Sequence, residues 1–315
     1  LCGTFAKALS MDVVRARQLI DAFVFTGDDS EDLWLQPLIR VGDDFCLVIP
    51  CIHSAKLERL VEGWMRQGGF DLERRGPEFE KYCRSELTVH ALKSPISSAI
   101  KVIDHEVKFI DADGNLEKID IVVIIGGAVL LVEAKCILWP DDSLRLANYR
   151  DTIEEATAQI KRQKDAVLSD YAGFSRRLME LGYEISGEEN VACCVVTNSA
   201  VYAGFPINGV PIVDLPMLSR YFANRYVKIE NRAEGESVSE HAIRFYEDEK
   251  GAGRNLQSYL SAPPQLADMK EYVRARDVFF PMDSQPSGRL TYRTYCVDVD
   301  IEAMKQKYES AANIL

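Results

Sequence analysis

The chain has 315 residues, 47% of them hydrophobic, enough to bury a sizeable core in one large or two modest domains. A formal net charge of −12 argues against a nonspecific nucleic-acid coat protein, although local basic patches can still contact phosphate. No stretch approaches transmembrane length, and eight scattered cysteines without a CxxC pair favour reduced thiols in the cytoplasm over a disulfide framework or a zinc site. Leu1 in place of Met points to a piece trimmed from a longer protein, and no signal peptide is evident in the first residues.

In chain order, residues 1–25 read as helical, with an uneven apolar face from Met11 to Ile20. After the acidic break at 27–32, residues 33–41 and 45–51 read as two strands joined through Gly42-Asp43-Asp44. Leu57, Leu60, Val61 and Trp64 give residues 55–66 a helical period. Residues 1–70 are therefore expected to form a small α+β accessory region that supports a core. Pro77 suits the first turn of a further helix, on which Phe79, Cys83 and Leu87 mark a buried stripe. Residues 99–110 read as one bulged strand or two short ones. Asp111 to Asn115 reads as a solvated turn, because its glycine falls too early for a calcium loop.

The stretch from Lys118 to Lys135 carries the clearest signal. Two strongly β-prone runs flank Gly126-Gly127, and glycine supplies the positive φ values that a two-residue type I′ hairpin turn requires. With those two glycines as the loop, Ile125 faces Ala128, Asp120 faces Glu133 and Lys118 faces Lys135. Alternation then places Asp120, Glu133 and Lys135 on one side of the sheet. Apolar residues fill both faces of the rest of the hairpin, as in a central sheet covered by helices. Two acids and a lysine at the end of such a hairpin need compensation, and a divalent cation would supply it. Surface solubilising residues are the plainer explanation of the same trio.

Beyond the hairpin, Trp139 is either a cap on the core or an aromatic contact for substrate. Residues 149–168 read as a helix with Ile153, Ala156, Ile160 and Val167 inward, and Arg145 and Arg150 near its start could touch phosphate. Val191 to Thr197 is an apolar strand, residues 211–213 a short one, and 215–223 a helix. Residues 227–229 read as an edge strand, 241–280 as helical with a break at Pro263-Pro264, 290–299 as a strand and 301–314 as a final helix. The expected domains are 1–70, a core over 71–230 and a C-terminal accessory region over 231–315.

The spacing of Asp120, twelve intervening residues and then Glu133-Ala134-Lys135 resembles the signature of the PD-(D/E)XK nuclease superfamily. The order helix, strand, hairpin, helix, strand over residues 77–197 resembles its restriction-endonuclease-like fold. The likeness extends over roughly residues 74–200, with Ile119 where the family name has proline. It implies an α/β class, with a mixed sheet flanked by helices, and magnesium-dependent hydrolysis of DNA, most simply as an endonuclease, with manganese as a substitute ion. Asp120, Glu133 and the Ala134 carbonyl would hold the metal, and Lys135 would orient water or stabilise the phosphate. Glu80 on the preceding helix, as a further metal ligand that could hold a second ion, and Gln159 on the following one match positions that many family members direct at the site. Taken by themselves, Glu80 reads equally as a surface partner of Arg84 and Gln159 as a solvent-facing helix former.

DNA is the implied partner and RNA stays open, with no membrane partner. Homo-oligomers or partner proteins would engage the accessory regions, and defence against foreign DNA and DNA repair are the implied roles. The competing expectation is a non-catalytic nucleic-acid-binding or scaffolding module of a larger complex. A nucleotide-cofactor enzyme is disfavoured, because Gly126-Gly127 lies between two strands and lacks both the GxGxxG and the P-loop pattern.

Overall fold

The computed structural model describes residues 2–28, 31–42, 44–53, 56–140, 143–185, 190–231, 239–264, 266, 273–281 and 289–297. Two compact units emerge, one of residues 1–75 and 138–149, the other of residues 76–137 and 150–315.

The first unit holds α1 (Cys2–Ala8) and α2 (Val13–Ala22), then β1 (Val24–Phe25), β2 (Leu38–Val41) and β3 (Asp44–Leu47), followed by α3 (Ile49–His53) and α4 (Leu57–Gln67). The three strands form one sheet in that order, β1 parallel to β2 and β2 antiparallel to β3. The strand expected over 33–41 is only its last four residues. Asp32 closes a turn before it, its carbonyl accepting from Leu35 and Gln36 N–H and its carboxylate from Trp34 N–H. The strand expected over 45–51 likewise stops at Leu47, since Pro50 sits in the first turn of α3, where proline suits a helix.

The second unit opens with α5 (Arg75–Leu92), β4 (Ile100–Val102), β5 (Val107–Ile110) and β6 (Leu116–Ile119). Next come β7 (Ile121–Ile125), β8 (Ala128–Lys135), α6 (Ser143–Ser169), α7 (Tyr171–Glu180), β9 (Val191–Thr197), β10 (Ile212–Asp214) and α8 (Leu215–Ala223). Last are β11 (Tyr226–Asn231), β12 (Ser239–Arg244), α9 (Glu249–Ser261), β13 (Val273–Pro281) and β14 (Arg289–Val297). The central mixed sheet has the order β10-β9-β8-β7-β4, with β8, β9 and β10 parallel and β7 antiparallel to both its neighbours.

The hairpin forms as its glycines require. Gly126 and Gly127 have φ of 53° and 87°, and Ile125 pairs with Ala128. The β-branched run on either side is then buried on both faces. Ile121, Val123, Leu130 and Val132 share a core with Cys83 and Leu87 of α5, Leu218 and Tyr221 of α8, and Leu256 and Leu260 of α9. Val122, Ile124, Val129 and Leu131 fill the opposite face, and all are buried. Residues 99–110 resolve into two short strands, of which β5 forms its own hairpin with β6. The connecting turn is held by Asp111, whose carboxylate accepts from the Asp113 and Asn115 N–H groups.

Of the helix expected over 241–280 with a break at Pro263-Pro264, α9 forms before the break, while residues 241–244 and 273–280 are strands. β12 pairs with β11, α9 starts at its Asp248 cap on Gly251 N–H, and β13 pairs with β14. Pairing with long-range partners overrides local propensity there. α9 also shares the core of the second unit with α8 and the sheet, so residues 231–315 do not stand wholly apart. The strand expected over 290–299 is β14, and the helix expected over 301–314 lies outside the described residues. Among the described residues, no helix is long and apolar enough to cross a membrane.

Candidate functional site

The site forms where the β-run between Lys118 and Ile125 breaks. β6 belongs to the small hairpin, β7 belongs to the central sheet, and Asp120 lies between them. Pairing of β7 with β8 stops at Ile121–Val132. The next residues in register are Asp120 and Glu133, as the two-residue turn dictates. The expected Lys118–Lys135 pair does not form a ladder, because Lys118 pairs instead with Lys108 of β5. Past the end of that pairing the Ala134 N–H donates to Asp120 Oδ2 at 2.9 Å. Among the described residues, the Ala134 N–H is the donor to the Asp120 carboxylate.

Glu133 is 1% exposed, yet each of its oxygens has a partner. Lys135 Nζ lies 2.7 Å from Oε1, and Gln159 Nε2 of α6 donates to Oε2 at 2.8 Å. Lys135 therefore shares the Glu133 face of β8, as alternation demands, and α6 lies over that face. From the other face α5 contributes Arg84, whose Nη1 donates to the Asp120 carbonyl at 2.6 Å and lies 3.9 Å from Glu80 Oε2 at the closest.

The electrostatics are those of acids short of positive charge. Burial, then the charge of Asp120, pushes the Glu133 carboxyl up to about 7. Burial also raises Asp120, against the Ala134 N–H, Lys135 and Arg84, which lower it. Glu80 is raised by burial and then by Asp120. For Lys135 burial works to lower the ammonium, but the hydrogen bond and charge of Glu133, with Asp120 and Glu80, hold it above its ordinary value. Lys135 is thus a persistent cation.

The expected residues Asp120, Glu133, Ala134, Lys135 and Gln159 meet by direct contact, and Glu80 joins through Arg84 and the field of Asp120. Gln159 faces inward, so the reading of it as a solvent-facing helix former does not hold. Arg150 pairs with Glu154 one turn on. Trp139 and Arg145 belong to the first unit, where the Trp139 N–H donates to Glu62 and its ring lies under Lys56. Three residues outside the expected set matter. Arg84 and Gln163 bond the main chain on either side of Ile119, and Glu106 adds a charge that raises both Asp120 and Glu80. The sequence held a signal for the first two, namely their fourfold spacing from Glu80 and Gln159 along their helices. Nothing in the sequence marks Glu106.

Two carboxylates and a main-chain carbonyl are hard oxygen donors of the kind magnesium takes, and the Ala134 bond engages Oδ2 of the two Asp120 oxygens. The donor chemistry fits such an ion. Among the described residues, no group of three or more Asp, Glu, His or Cys side chains stands ready to hold a metal. Glu133 would have to exchange a partner, since both its oxygens are engaged. No protein-family model, no curated protein and no solved structure matches the chain.

Proposed function

We propose that the second unit is a restriction-endonuclease-like core and that the chain is a metal-dependent nuclease hydrolysing DNA phosphodiesters. One observation carries this reading. Asp120, Glu133 and Lys135 converge at one end of a buried sheet, with the Ala134 N–H and Gln159 fixing the two carboxylates. A purely structural sheet end gains nothing from burying Glu133 beside a half-buried Asp120, because desolvation is costly and Lys135 is one cation against two acids.

Hydrolysis needs an activated water, charge compensation at the phosphate and geometry held in advance. A bound magnesium ion would supply positive charge at the phosphate and make water more acidic, with Asp120, Glu133 and the Ala134 carbonyl as its holders. The residues themselves do the rest. The Ala134 N–H fixes Asp120 so that Oδ1 faces away from that bond. Gln159 fixes Glu133 in rotation, and Lys135 presents an ammonium that stays protonated. Lys135 is therefore suited to stabilising negative charge on the phosphate rather than to removing a proton from water. Its bond to Glu133 also supplies the positive charge that this acid needs before any metal arrives.

The test is cleavage of linear, circular and single-stranded DNA, and of RNA, with magnesium or manganese. Wild type should cut DNA, and Asp120→Ala and Lys135→Ala should each lower the rate by on the order of 100-fold or more. Activity persisting in both variants would put the chemistry elsewhere. Tight binding without cleavage would favour a non-catalytic module.

A further inference from the structure

We infer that Arg84 and Gln163 are positioning residues, gripping the chain from opposite faces of the sheet to set Asp120. The inference rests on the nuclease reading for its catalytic consequence, but its geometry stands apart from it. Gln163 Nε2 of α6 donates to the Lys118 carbonyl at 2.6 Å, and Arg84 Nη1 of α5 donates to the Asp120 carbonyl at 2.6 Å. These two carbonyls bracket Ile119, the last residue of the β5–β6 ladder, and Asp120 alone separates that ladder from β7. Main-chain groups at such a junction need partners, and here two helices deliver them. Asp120 is then aimed at the Ala134 N–H, which lacks a strand carbonyl there.

A second observation separates this role from ordinary packing. Of the four buried polar side-chain atoms without a partner among the described residues, two are Arg84 Nε and Gln163 Oε1. Gln163 is 1% exposed. An orphaned buried polar atom is a cost that each side chain carries alongside its bond to a carbonyl. Both positions keep the polar group and use only its other end, on the carbonyls beside Asp120. Arg84 also sets a positive charge beside Asp120 and Glu80 that opposes the rise burial imposes on both.

The experiment uses the full chain with Arg84→Met, Arg84→Lys, Gln163→Leu and Gln163→Met. Two quantities are read, the hydrogen exchange of the Ala134 amide without metal and the split of cleavage into kcat and KM. Arg84→Met and Gln163→Leu should speed Ala134 exchange relative to the other β8 amides. They should lower kcat by on the order of 10- to 100-fold with KM little changed, the cost of a small misplacement of a reacting group. Arg84→Lys should recover part of both effects, and it carries the test if Arg84→Met does not fold. Gln163→Met, which keeps the length of the side chain but not its donor, should show the loss without recovery and carries the test on the other helix if Gln163→Leu does not fold. If wild type cuts nothing while the Ala134 amide responds, the grip stands and the nuclease reading falls. An Ala134 amide that matches wild type, exchange raised equally along all of β8, or an unchanged kcat in an active enzyme would overturn the inference.

Discussion

Glu133 sets the balance of this protein between stability and function. It is 1% exposed and holds its proton up to about pH 7, first because it is buried and then because Asp120 is close. The folded pKa lies above the unfolded value near 4.5, so the folded state binds the proton more tightly. The resulting penalty is absent below about pH 4.5, grows as pH rises and is complete above about pH 7. Thermal melts of the metal-free protein should therefore show stability falling between pH 5 and pH 8, by up to about 3 kcal/mol. Glu133→Gln should flatten that dependence. A wild-type melting temperature that rises with pH across the same window would contradict the account of this residue. Lys135 offsets only part of this cost.

At the scale of elements, the hairpin is the part that everything else is fitted to. Its turn lies against α9 so closely that a Cβ on Gly253 would stand 2.7 Å from the Gly126 carbonyl oxygen and 2.8 Å from that of Ile125. Both neighbours are backbone and cannot rotate away. Gly253→Ala should thus cost roughly 1–3 kcal/mol despite its gain in helix propensity, read as a lowered midpoint in urea. An unchanged midpoint would mean that α9 does not sit on the turn. The hairpin was legible in the sequence because its register follows from two glycines and a period of two, which together also placed Asp120, Glu133 and Lys135 on one side. The break before β7 was not legible. Lys118 to Ile125 is one unbroken β-prone run, and the donors that interrupt it come from Arg84, 36 residues away, and Gln163, 45 residues away from the carbonyls they bond. Within the described part of residues 241–280 the expected helix is α9, and the strands on either side of it were not legible for a related reason, since the partners of β12 and β13 are set by tertiary pairing rather than local propensity.

At the scale of the whole molecule, charge and shape both direct attention to the second unit. The first unit has an apolar cavity of about 410 Å³ lined by Phe5, Phe23, Trp34, Phe45 and Trp64, none of which carries the positive charge that would attract phosphate. A net charge of −12 makes association with a polyanion weak and sensitive to salt unless cations mediate it. A metal at the Asp120–Glu133 end of the sheet would serve as such a cation, so metal binding is the property on which the functional account turns. Calorimetric titration of magnesium or manganese into wild type, Asp120→Asn and Glu133→Gln, with folding checked by melting, measures it directly. The account predicts a bound ion in wild type and its loss in both variants while the fold persists. Equal binding in all three proteins, or none in wild type, would contradict it.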